Sequence, residues 1–144
     1  MIEQDTIRLL RECDAGIKMG VDSINDVLPR VESKTLEEIL KKSRTHHEEL
    51  GADIEKLLSE YHDDGKNPNP MAEIMSQMKT GMKMLADNSD ATIADLMTDG
   101  CNMGIKSLCK YLNKYEAADE RSKNITKKIV NIEEDLVRDL RLFL

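Results

Sequence analysis

The sequence predicts an all-α protein in which two antiparallel helical hairpins pack as a bundle and an additional helix crosses between them. Three observations lead to this. Aromatic residues are only 3% of the chain and Met is abundant, at nine. With few β-branched runs, that favours helix over strand. Apolar residues recur at alternating three- and four-residue spacing in five separate stretches, the mark of amphipathic helices. The breaks between stretches are short near both ends of the chain and long in the middle, which sets the connectivity. At 144 residues the chain is read as one domain, 1–144, long enough to bury a core.

The first helix is expected over about 3–28. Ile7, Leu10, Ile17, Val21, Ile24 and Leu28 form its stripe, and Asp14 takes a place between Leu10 and Ile17. Gly16 and Gly20 cost roughly 1 kcal/mol each inside a helix, so close helix approach is their expected reason. Pro29 ends the element. The second helix starts at Thr35 with Glu38 three residues on, a capping-box pattern, and runs to about Tyr61. Leu36, Leu40, Leu50, Ile54, Leu57, Leu58 and Tyr61 share one face. His47 lies in its middle, Ser43 near it, and His46 at its edge.

Residues 62–70 are a break rich in Asp, Asn, Gly and Pro. A third helix follows over about 70–85, striped by Met71, Ile74, Met75, Met78, Met82 and Leu85. This regular spacing without interleaved His or Cys reads as flexible core filler, not a copper site. Asn88-Ser89-Asp90 caps a fourth helix, about 91–114, with Ile93, Met97, Cys101, Ile105, Leu108 and Leu112 on one face. Leu96 and Met103 lie on the opposite face, a second contact surface for the third helix or another subunit. The fifth helix runs from about Asp119 to Leu142, with Ile125, Ile129, Ile132, Leu136, Val137 and Leu140 in one arc and Glu133 within it.

Composition excludes several functions. Twenty-one Lys and Arg against 28 Asp and Glu give a net charge of −7, which opposes binding to nucleic acid or anionic membranes. No stretch approaches the roughly 18 apolar residues of a membrane span, and the acidic start does not resemble a signal peptide. Cys13, Cys101 and Cys109 lack metal-binding spacing and read as free thiols in a reducing cytoplasm.

Short loops within each hairpin and a long return by the third helix make the second and fourth helices parallel. That is the connectivity of a ferritin-like four-helix bundle. The segments Ile93-Ala94-Asp95-Leu96-Met97, Asn102-Met103-Gly104-Ile105, Asn113-Lys114-Tyr115 and Ile132-Glu133-Glu134 through Phe143-Leu144 carry a family likeness. In them the chain resembles an uncharacterised bacterial helical family related to ferritin-like domains of unknown function. The resemblance implies a helical bundle and a cytoplasmic bacterial protein, and it implies no assigned activity.

A ferritin-like di-iron centre needs an inward Glu from each of two helices and a Glu-x-x-His from each of the other two. Here Ser43 and Arg44 precede His46 and His47 by three, and Leu136 and Val137 follow Glu133 and Glu134 by three. The motif is absent, which argues against a di-iron oxidase, and no spacing singles out a catalytic residue. Three inward polar residues remain: Asp14, His47 and Glu133. Asp14 and His47 read as level and paired in the core, with Glu133 about 9 Å off along the bundle axis. The leading expectation is therefore a non-enzymatic protein-interaction or structural bundle, as a homodimer or with another protein. The alternative is a metal-binding or redox protein in which Asp14, His47 and Glu133 hold one divalent metal ion.

Overall fold

The computed structural model describes residues 2–66 and 89–144. Among them are four long helices and no strand: α1 (Ile2–Val27), α2 (Lys34–Glu60), α3 (Asp90–Lys114) and α4 (Glu120–Leu140), with 3-10 turns at Leu28–Arg30 and Arg141–Phe143. The all-α expectation holds. The helix expected over 70–85, with its methionine stripe, lies outside the described residues.

Capping fixes where the helices begin. Ser33, not Thr35, caps α2, its hydroxyl accepting from the Leu36 backbone N–H at 3.3 Å. The helix is capped two residues before the Thr35 that the capping-box pattern predicts, and the Asp90 carboxylate holds its entry. It accepts from the backbone N–H groups of Glu32 (2.9 Å) and Ser33 (2.8 Å). Ser89 caps α3 through the Thr92 N–H and Asp119 caps α4 through the Ser122 N–H, each satisfying an N–H that the helix itself leaves unpaired.

These caps also report direction. Asp90 reaches Glu32 and Ser33, so α2 and α3 start at the same end of the molecule. At the other end the Asp119 N–H donates to Thr6 Oγ1, the Ala117 N–H to Asp5, and the Tyr61 hydroxyl to Asp119. There α1 and α4 start and α2 finishes. Thus α1–α2 and α3–α4 are antiparallel hairpins, while α2 and α3 run parallel, as the sequence predicts for its second and fourth helices.

The core forms two apolar clusters. One, at the α2/α3 starting end, gathers Ile24, Val27, Leu36, Leu40, Ile93, Ala94, Met97, Leu136 and Leu140. The other gathers Leu9, Leu10, Cys13, Ile17, Ile54, Leu58, Leu108 and Ile129. Burying each such Leu or Ile contributes on the order of 1.5–3 kcal/mol. The α1 stripe is wider than expected: Leu9, Met19 and Val27 are also buried, because α1 touches all three other helices. On α3, Leu96 packs against the first cluster while Met103 is 41% exposed. The helix over 70–85, one of the two partners expected for a contact surface there, lies outside the described residues.

Candidate functional site

His47 sits at mid-length, where the apolar face of α2 passes between the two clusters. It is 1% exposed. Its Nδ1 lies 2.8 Å from the Ser43 backbone carbonyl, one turn earlier. A carbonyl only accepts, so Nδ1 carries a hydrogen and donates it. Its Nε2 lies 3.0 Å from Glu133 Oε1 on α4. Glu133 is 8% exposed, so this is a buried polar bond joining one hairpin to the other.

Burial lowers the pKa of His47, but the hydrogen bond to Glu133, the charge of Glu133 and the bond to the Ser43 carbonyl all raise it. The net direction is up. Across from them on α3 stands Cys101. Burial, then the charge of Glu133 and a hydrogen bond to it, raise this thiol far above its ordinary range, so it remains protonated and a poor nucleophile. Cys13 is similar: burial pushes it up to about 12, against the lowering bond to Thr126, whose Oγ1 is 3.1 Å from the sulfur. All three cysteines are free, and Cys109 is exposed.

Small residues make room for this layer. A Cβ on Gly20 would lie 2.8 Å from His47 Cδ2 and 2.9 Å from Nε2, and one on Gly104 would lie 3.8 Å from Glu133 Oε1. Gly16 and Gly20 on α1, with Gly100 and Gly104 on α3, line a cavity of about 40 Å³ together with His47, Cys101 and Glu133. The expected reason for the helical glycines, close approach, applies at Gly20, where the neighbour is the imidazole.

The sequence pairs the wrong acid with His47. Asp14 is buried, but it accepts from Lys18 Nζ at 2.7 Å and from the Lys66 backbone N–H at 2.9 Å. Both ring nitrogens of His47 are engaged elsewhere, so the expected Asp14–His47 contact is not formed. The reason is register. Gly20 faces His47 and Ile17 faces Gly51, so the hairpin pivots near residue 33 or 34 instead of 31. The 3-10 turn Leu28–Arg30 carries the first arm past Val27 before the chain reverses. Asp14 therefore lies six residues, roughly 9 Å, from the level of His47. Glu133, expected about 9 Å off along the axis, instead meets His47 at 3.0 Å.

Asp14, His47 and Glu133 thus do not come together as a ligand set. Among the described residues no group of three or more His, Cys, Asp or Glu is placed to hold a metal ion. The pairing of Cys101 with Glu133 was missed by sequence reading. Its signal was the shared inward position of the two residues on their helices. No helix among the described residues is long and apolar enough to cross a membrane. No protein-family model, no curated protein and no solved structure matches the chain.

Proposed function

We propose that this chain is a non-enzymatic, cytoplasmic bundle of ferritin-like connectivity that works through protein contacts, as a structural or interaction module. The parallel start of α2 and α3 supports the connectivity, and the free thiols support a reducing compartment. The observation that carries the reading is the closure of the polar core. Glu133 bonds to His47, Cys101 stands beside Glu133 as a protonated thiol, and Asp14 is occupied by Lys18 and Lys66. These groups stabilise a fold; none is held as an activated nucleophile, an open ligand or a free base.

The test combines metal analysis with light scattering. The purified chain is incubated with zinc or ferrous iron, desalted and assayed, and its mass is followed over a concentration series with and without Met103→Lys. The reading expects metal far below one per chain and a mass that rises with concentration or with an added partner. Stoichiometric metal that disappears in His47→Ala would instead establish the metal-binding alternative.

A further inference from the structure

We propose that the His47–Glu133 bond is a proton-operated tie: one proton held between Nε2 and Oε1 couples the two hairpins at mid-length, and its loss frees α2 from α4. This goes beyond the protein-contact reading and does not depend on it.

The argument starts from proton counting. The Ser43 carbonyl fixes a hydrogen on Nδ1. The carboxylate of Glu133 is an acceptor, and Nε2 is 3.0 Å from it. A hydrogen bond there requires a proton on the bridge. Without it, the Nε2 lone pair faces a carboxylate oxygen at that distance, inside a layer nearly closed to water. Among the described residues around it, the surroundings offer no second basic group. From α1 the pair meets Gly20, which has no side chain, and the neutral hydroxyl of Ser23 lines the same cavity. From α2 the Ser43 hydroxyl is 3.4 Å from Nδ1, on the far side of the ring. From α3 the protonated thiol of Cys101 faces Glu133, and the neutral hydroxyl of Ser107 lines the same cavity. Glu12 and Tyr111 line the same cavity farther along, and Glu12 is engaged by Lys66. Among the described residues no Lys or Arg lines it, so the imidazolium is the positive charge that balances Glu133.

The glycines decide which partner moves. Gly20 abuts the imidazole, so the ring cannot swing toward α1 without collision. Glu133 faces Gly104 and the cavity of about 40 Å³, so the carboxylate has room to turn away once the proton leaves. The sign follows from the raised pKa of His47. The tie is fully formed below the unfolded-state value, about 6.5, and is lost as pH rises through the higher folded-state value.

Nitrogen NMR of the imidazoles in the full chain, titrated alongside His46 and His62, tests this directly. The tie requires His47 to carry hydrogen on both nitrogens at neutral pH and to titrate above the ordinary imidazole value, about 6.5. Amide exchange near residues 47 and 133 should then accelerate about tenfold or more as the ring deprotonates, the fold-change of one lost charged hydrogen bond. Glu133→Gln should lower the His47 titration and flatten the exchange response. If that variant does not fold, the wild-type titration decides alone. A ring that is singly protonated at neutral pH, or one that titrates without any change in exchange near 47 and 133, overturns the proposal.

Discussion

Among the described residues two acids are buried against basic partners, and the two lie in opposite surroundings. At mid-length, His47 and Glu133 are both sealed and join separate hairpins. Nearer the start of α1, Asp14 is as deeply buried, but its partner Lys18 is on the same helix, one turn on, and its side chain is 37% exposed. A second bond, from the Lys66 backbone, remains if Lys18 is lost. Water can replace a lysine at the surface, whereas it cannot readily replace an imidazole between two apolar clusters. The energetic weight of an ion pair therefore follows the burial of both members, not the burial of the acid alone.

Substitutions separate the two sites. His47→Ala leaves Glu133 buried without its cation and should cost about 3–5 kcal/mol in urea unfolding at neutral pH. Gly20→Ala places a methyl group against the imidazole. Overpacking of that kind costs about 1–3 kcal/mol, partly offset by the roughly 1 kcal/mol gain in helix propensity. Gly65→Ala acts at the Asp14 site. Gly65 has φ +87°, and a Cβ there would collide with the Asp14 carboxylate. Strain of about 1–2 kcal/mol is expected, visible as loss of stability with the His47 titration intact. Lys18→Ala should cost less than about 1 kcal/mol; a loss as large as that of His47→Ala would erase the distinction between the two sites. Smallest in energy is the thiol pattern: mass spectrometry after brief alkylation of the native chain should find Cys109 modified and Cys13 and Cys101 protected. Rapid labelling of Cys101 would show that the layer around Glu133 is open to solvent.

Helix identity was legible because period and breaks are local properties. The stripes of α2 and α4 place Leu36, Leu40, His47, Leu136 and Leu140 inward as expected. The inwardness of His47 and Glu133 was legible for the same reason. Their partnership was not. The level of Asp14 depends on how far α1 runs before the chain turns, and the 3-10 turn at Leu28–Arg30 has no strong periodic signature of its own. The misplaced pivot puts Asp14 at the wrong level, while the level of Glu133 follows from the separate register of α4 against α2. Ser122 and Thr126 were missed for another reason: they are polar but buried, and Thr126 satisfies itself on the Ser122 carbonyl at 2.8 Å, a bond that hydropathy does not register.

The central claim is that His47 and Glu133 act as one unit across the two hairpins, and a double-mutant cycle measures that unit. Unfolding free energies would be compared for the wild type, His47→Ala, Glu133→Ala and the double variant at neutral pH. The account expects a coupling energy of about 1.5 kcal/mol or more, with the double variant losing less than the two single losses combined. Additivity within about 0.5 kcal/mol would contradict it.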